Sequence, residues 1–478
     1  MSIETLVRRI RNIMRQDAGV DGDAQRIAQL VWMLFLKVYD AKEEFWEFDE
    51  DNYKSIIPEE CRWRNWAIDN KDGEALTGDD LLDFVNKNLF PTLKELEIDH
   101  LTEKRKAIVK YVLEDANNYM KNGTLLRQAI NILNEVDFTE NEERHAFNDI
   151  YENILKDLQS AGSAGEFYTP RPVTEFMVDI LQPKKNEKIA DFACGTGGFL
   201  ISALDYMDSQ ITTPQDVDLI QKNLYGIEKK PLPYLLAITN MILHDVDAPK
   251  ILHDNSLTKN VRDYKDEDKY DVIIMNPPYG GTEEESIKIN FPVALQSSET
   301  ADLFMVLIMY RLKKDGRVGV ILPDSFLFGD DSGKVEVKKK LINEFNLHTI
   351  VRLPKGVFEP YTDIPTNLLF FDNNGKTDSI WYFQHPLPVG TKNYTKTKPL
   401  KGSEFQVEKE WWNNRVENQY AWKVSTDEII NRNYNLDIRH PYKESENSFE
   451  YSMEDLINEL EDSMSNVKAI MNELVEED

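Results

Sequence analysis

Cysteine is nearly absent from this chain of 478 residues: only Cys61 and Cys194 occur. Two thiols build neither a disulfide framework nor a cysteine-rich zinc site, and their scarcity points to a reducing, cytoplasmic setting. Positive charge is also in deficit. Asp and Glu number 85 against 56 Lys and Arg, a net charge of −29, so the chain does not coat a polyanion by bulk attraction. Long apolar runs are missing too. The most hydrophobic stretch, Leu30 to Tyr39, falls far short of the ~20 residues that a membrane span needs. Met1 to Ile10 carries Glu4, Arg8 and Arg9 where a signal peptide has an apolar core. The seven histidines (100, 145, 244, 253, 348, 385 and 440) include no pair at helical metal-ligand spacing and no HExxH. No structural metal is expected.

What is there suffices to fold. With 41% hydrophobic and 10% aromatic residues, wholesale disorder is excluded, and the length predicts two to four domains at ~100 to 200 residues each. Residues 1–160 read as an α-helical domain: Ile27, Leu30, Leu34 and Val38 recur three or four apart, and Ile130, Leu133 and Val136 three apart. Ser160 to Gly165, all Ser, Ala and Gly, is the natural boundary. Over 161–400 short apolar runs alternate with helical stretches: Lys188 to Phe192, Leu224 to Glu228, Lys250 to Leu252, Tyr270 to Met275, Arg317 to Leu322, His348 to Leu353 and Asn367 to Phe371. This alternation predicts a doubly wound α/β sheet whose ligands sit at the carboxyl ends of the strands. The remainder, 401–478, is polar and punctuated by Trp411, Trp412 and Trp422, then ends in an acidic helix from Met453. Along it Met453, Ile457, Leu460, Met464, Val467, Met471 and Leu474 step by alternating fours and threes, a heptad seam that must pack on this chain or on a partner.

Two motifs carry chemistry. In Asp191-Phe-Ala-Cys-Gly195-Thr196-Gly197-Gly198 a buried strand turns into a helix. Gly195 and Gly197 let backbone approach a ligand closely, and Asp191 is placed to hold an ammonium group. Glycine at such a turn is often mere steric necessity. Leu200, not Gly, stands three residues after Gly197, which disfavours a dinucleotide pyrophosphate site. Glu228 ends the next strand, where it can accept hydrogen bonds from ribose hydroxyls or simply be a solvated carboxylate. The second motif, Asn276-Pro277-Pro278-Tyr279, ends the strand Asp271 to Met275. The prolines fix the turn, so the Asn276 amide and the Pro277 carbonyl point outward. Two acceptors on the two N–H groups of an aromatic amine favour a pyramidal nitrogen with a localised lone pair, and Tyr279 can stack on the base. A plain Pro-Pro strand terminator requires neither the Asn before nor the aromatic after.

These motifs, in this order, resemble the S-adenosylmethionine-dependent amino-methyltransferases. The resemblance is closer still to the modification subunit of type I restriction-modification systems, an N6-adenine DNA methyltransferase family. Gly165-Glu166-Phe167-Tyr168-Thr169-Pro170-Arg171 is similar to that family's segment over the cofactor, and His253-Asp254-Asn255-Ser256-Leu257, Leu353 to Phe358 and Thr366 to Phe371 also match. The resemblance spans essentially the whole chain and implies a Rossmann-like methyltransferase sheet. By it, Glu166, Phe167, Tyr168, Thr169, Pro170, Arg171, Thr196, Gly197, Gly198 and Glu228 line the cofactor S-adenosyl-L-methionine, and Asp254 or Asn255 lies near its adenine. It further implies that Asn276, Pro277, Pro278 and Tyr279 hold a flipped adenine, and that a specificity subunit reads double-stranded DNA. Two modification chains per specificity chain, a restriction/translocase subunit and specificity-subunit contact through the acidic C-terminal helix follow from the same resemblance.

Local basic clusters, Arg8, Arg9, Arg11 and Arg15 or Lys338 to Lys340, are as well explained by solvated helix faces as by DNA contact. Cys194 has no histidine base nearby and reads as a tight-turn side chain. Gly375-Lys376-Thr377 imitates the end of a P-loop, but Phe370 stands where its first glycine belongs. Three rival readings exist: N4-cytosine methylation is poorly excluded on chemistry alone, protein-glutamine N5-methylation is disfavoured by the Glu166-to-Arg171 segment and the C-terminal extension, and a non-catalytic scaffold by the intact Asp191, Glu228 and Asn276-Pro277-Pro278-Tyr279.

Overall fold

The computed structural model describes residues 3–69, 75–139, 168–359, 362 and 364–441. The Ser160–Gly165 boundary, Glu166, Phe167 and the heptad seam at 453–474 lie outside the described residues.

The N-terminal part is helical, with α1 (Ile3–Met14), α2 (Gly22–Asp49), α3 (Lys104–Leu113) and α4 (Gly123–Leu133) as its main members. The apolar run of α2 is explained by burial on all sides: Val31, Trp32, Met33, Leu34 and Tyr39 are all fully buried. Two buried charges tie the bundle together. Asp17 accepts from the backbone N–H groups of Gly19, Lys121 and Asn122. Lys37 donates to the carbonyls of Leu133 and Val136 at the end of α4, where orphan carbonyls and the helix dipole favour a cation. Among the described residues no helix is long and apolar enough to cross a membrane.

Beyond it, helices α5 (Arg171–Leu181), α6 (Gly198–Asp208), α7 (Pro214–Asn223), α8 (Pro231–Leu243), α9 (Thr300–Arg311) and α10 (Ser332–Glu344) flank a sheet. Its strands are β1 (Ile189–Asp191), β2 (Leu224–Glu228), β3 (Ile251–His253), β4 (Tyr270–Met275), β5 (Leu312–Pro323), β6 (Asn346–Arg352), β7 (Thr366–Asp372), β8 (Ser379–Gln384) and β9 (Ala421–Ser425). Among the described residues the order is β3-β2-β1-β4-β5-β7-β6-β8-β9. The first five strands are parallel, and β7 runs antiparallel between β5 and β6. The α/β expectation holds, with all seven foreseen strands in place. Successive residues of β4 feed opposite cores: Val272 and Ile274 face the core shared with the N-terminal helices, Ile273 and Met275 the core under α9 and α10.

The sheet continues past residue 400. β9 pairs antiparallel with β8, Trp422 stacks on Tyr382 with centroids 5.3 Å apart, and Trp411 packs against Trp381 and Phe383. The helical part docks on the sheet's outer helices through α2 and α8: Lys42 pairs with Asp245 at 2.6 Å and the Trp46 indole donates to Asp247 at 3.2 Å.

Candidate active site

Strand order reverses between β1 and β4, so the loops after these two strands meet at the topological switch point, where a doubly wound sheet opens its crevice. Both chemical motifs stand there.

The loop after β1 is held by hydrogen bonds from its own strand and from β2. The Asp191 carboxylate accepts from Ala193 N at 3.0 Å, Cys194 N donates to the Ile227 carbonyl at 3.0 Å, and Gly195 N donates to Glu228 Oε2 at 2.9 Å. The other oxygen of Glu228 accepts from Lys230 N at 2.8 Å. Gly195 and Gly197 have φ of +54° and +81°, the left-handed region that side-chain-bearing residues avoid. Among the described residues a Cβ on Gly195 meets nothing within 4 Å, whereas one on Gly197 meets Ala237 of α8 at 3.7 Å. Gly195 therefore borders open space, and Gly197 serves helix packing and starts α6.

Neighbouring elements complete the cradle. Asn240 of α8, itself 1% exposed, donates from Nδ2 to the Thr196 carbonyl at 3.0 Å. Arg171 donates to the Gly198 carbonyl at 2.9 Å and to Ser202 at 3.2 Å. After β3, Asp254 N donates to the Glu228 carbonyl at 3.0 Å, the Asn255 side chain closes its own turn onto Leu257 N at 3.1 Å, and Ser256 donates to the Phe192 carbonyl at 2.6 Å. Burial pushes the Asp191 carboxyl well above the usual carboxylate range, with the Glu228 charge adding to it against the Ala193 N–H. Burial also pushes the Cys194 thiol well up, which leaves it unreactive.

The loop after β4 has a different character. Asn276 Nδ2 donates to Thr169 Oγ1 at 3.2 Å, joining residues 107 apart in sequence. Its Oδ1 is buried and takes no hydrogen bond among the described residues. The Tyr279 ring is 5% exposed and belongs to the core beneath α9. Burial also pushes its phenol up. Behind this turn, Thr300 N donates to the Gly281 carbonyl at 3.0 Å, and a buried charge cluster joins Lys334 to Glu299 at 2.9 Å and to Asp302 at 3.7 Å.

Tyr168, Thr169, Asp191, Gly195 to Gly198, Glu228, Asp254, Asn255 and Asn276 to Tyr279 thus gather at one edge of the sheet, with Pro170 capping α5 beside them. Two expected members are differently engaged. The Arg171 guanidinium holds the first turn of α6, and the Tyr279 ring is packed inward. The sequence reading missed Asn240; the signal was an amide beside Thr239 in the mostly apolar run of α8. Of the basic clusters, Arg9 pairs with Glu135 at 2.7 Å. Lys338 is fully buried and donates to the carbonyls of Leu327 and Gly329, so it is no part of a DNA-facing surface. Thr377, the P-loop mimic, is also buried, donating to the Phe345 carbonyl. Among the described residues no cluster of His, Cys, Asp and Glu could hold a metal ion.

A parallel sheet with an antiparallel β7, a glycine turn after β1 and an Asn-Pro-Pro-Tyr turn after β4 define an amino-methyltransferase fold. Residues 142–450 match the family described as N-6 DNA Methylase, and residues 3–133 match the HsdM N-terminal domain. The methylase subunit of the type I restriction enzyme EcoEI from Escherichia coli is 54% identical over 452 residues, 93% of this chain and 91% of that one. A modification subunit assigned to a type I restriction enzyme of Vibrio vulnificus superposes with TM-score 0.83 at 41% identity, covering 93% of this chain and 98% of that one. A chain solved in a study of type I restriction-modification assembly gives TM-score 0.83 at 35% identity, covering 100% and 98%. The chain belongs to the N-6 DNA methylases, in the group of type I restriction enzyme methylase subunits.

Proposed function

We propose that this adenine-specific DNA methyltransferase binds S-adenosyl-L-methionine over the turn after β1 and holds the target base at the turn after β4. The observation that carries the reading is the Asn276 Oδ1, a buried acceptor without a partner among the described residues, on the loop that meets the Gly195 turn at the switch point of the sheet. The donor set fits the cofactor. Asp191, a buried carboxyl, suits its ammonium group; Glu228 and the Asp254–Asn255 turn suit its ribose and adenine; Tyr168 and Pro170 close over it. When bound, the cofactor supplies an electrophilic methyl group.

The chain's own residues do the rest. Adenine N6 is a poor nucleophile because its lone pair is delocalised into the ring. Asn276 Oδ1 and the Pro277 carbonyl accept hydrogen bonds from its two N–H groups and favour the pyramidal, localised form that attacks in line. The base reaches this place by leaving the duplex stack, at a cost of about a few kcal/mol. The Tyr279 ring stacks on it once turned outward. No strongly basic side chain is required, because the methylated amine sheds its proton readily.

Family membership favours adenine N6 over cytosine N4 or a glutamine side chain as the acceptor. In this reading the chain works in the cytoplasm within a type I complex: a specificity subunit reads the DNA, with two modification chains per specificity chain, beside a restriction/translocase subunit. The net charge of −29 supports the division of labour, since a strongly acidic chain relies on its partner to clamp a polyanion. The test is transfer of tritiated methyl from S-adenosylmethionine to unmethylated genomic DNA by the chain with and without its specificity partner. Label in N6-methyladenine that depends on the partner is the expected result; label in another base or in protein overturns it.

A further inference from the structure

We propose that Thr169 is a positioning residue that fixes which way round the Asn276 amide faces, an inference that rests on the base-holding reading above. A primary amide has two ends of nearly equal shape and opposite hydrogen-bonding sense. With its oxygen toward the adenine amine, Asn276 accepts an N6 proton. Turned over, it presents an NH2 group to another NH2 group, and the contact becomes repulsive.

The discrimination comes from outside the motif. Asn276 Nδ2 donates to Thr169 Oγ1 at 3.2 Å, while Oδ1 is buried with no partner among the described residues. With the Thr169 hydroxyl accepting from the NH2 end, the oxygen is left as the end that faces an incoming amine. Thr169 is itself well held. It precedes Pro170, which confines it to extended backbone, and Pro170 caps α5. That helix is bound to α6 by Arg171 on the Gly198 carbonyl and by the contact of Thr174 Oγ1 with Ser202 Oγ at 2.7 Å. One rigid piece, α5 with α6, therefore carries both the cofactor turn and the hydroxyl that orients the catalytic amide.

The experiment compares Thr169→Val, Thr169→Ser and Asn276→Ala in the complete complex, using tritiated S-adenosylmethionine and unmethylated genomic DNA. Calorimetry supplies the cofactor affinity of each variant. Thr169→Val should lower kcat about tenfold, the worth of one neutral hydrogen bond, with cofactor affinity within about twofold and DNA KM little changed. Thr169→Ser, which keeps the hydroxyl, should restore most of the rate; should the valine variant not fold, Thr169→Ala takes its place. An unchanged kcat in the valine variant beside a crippled Asn276→Ala overturns the positioning role and leaves the base-holding reading intact. A loss confined to cofactor affinity also overturns it, making Thr169 a cofactor ligand instead. Full turnover by Asn276→Ala would bring down the base-holding reading itself.

Discussion

The two turns at the switch point are built on opposite plans. After β1, the backbone of Ala193, Cys194, Gly195, Thr196, Gly197 and Gly198 is partnered by a carboxylate, an amide, a guanidinium or other backbone. After β4, the Asn276 amide is held by Thr169 at one end and, among the described residues, leaves an acceptor open in a buried place at the other. A buried polar atom without a partner costs about 1–3 kcal/mol, and in the proposed reading the target base supplies the missing bond at Asn276. In the proposed reading the contrast separates two tasks: the first turn is preorganised to bind, and the second holds back an interaction for the reacting base.

The sharpest way to break that contrast is Asn276→Ala. If the open acceptor acts on the transition state, methylation should fall by about 10²–10³, the usual loss for one oriented polar group at a reacting centre, with cofactor affinity nearly unchanged. Rates under saturating cofactor read this directly. Next in size come the glycines. Gly195→Leu sends a side chain into open space over the turn and should weaken cofactor binding about 10- to 100-fold. Its left-handed backbone adds strain of about 1–2 kcal/mol. Gly197→Leu carries similar strain but drives its side chain at Ala237 of α8, so it should lower the melting temperature more than Gly195→Leu does. Calorimetry and thermal melts on the pair check the assignment. Smaller again is Glu228→Gln. It replaces one of two oxygens that accept from Gly195 N and Lys230 N, and should cost about tenfold in cofactor affinity, with the rate recovering at saturating cofactor.

The sheet and the two motif turns were legible in the sequence because their determinants are local. Glycines at positive φ, two prolines and apolar runs each followed by turn residues state their geometry without reference to the rest of the chain. β8 and β9 were not legible. Trp422 reads as part of a polar, Trp-punctuated extension until Tyr382 is beside it, and Ala421–Ser425 is a strand only because β8 offers an edge to pair with. The same reason hid the roles of Asn240 and Thr169, whose partners are 44 and 107 residues away. Lys338 misled in the other direction: three consecutive lysines look solvated, yet the first is capped by two carbonyls in the core. Arg171 sits in a segment whose resemblance suggested cofactor contact, and its bonds run to α6. Motif spacing names the residues at a site but not which of them face the ligand.

The smallest expected effect on methylation tests what holds the second turn from behind. If the open acceptor belongs to a turn anchored elsewhere, the anchor should influence stability without touching the chemistry. Asp302 is fully buried, accepts from the Ser297 hydroxyl at 2.5 Å and lies 3.7 Å from Lys334 Nζ. Burial pushes its carboxyl up to about 6, against the opposing pull of Ser297 and Lys334, while an unfolded chain releases that proton near 3.8. Between those values the folded state holds a proton that the unfolded state has lost. This group's contribution to stability is therefore complete below pH 3.8 and disappears as pH rises to about 6. Asp302→Asn keeps the shape and the acceptor for Ser297 but cannot ionise. Denaturation midpoints measured from pH 4 to 7 should show a flatter profile for the variant, with methylation at pH 7.5 within about twofold of the parent. A rate loss approaching that of Asn276→Ala would mean that the charge cluster shapes the catalytic amide itself, and the two turns would then differ less than their hydrogen bonds suggest.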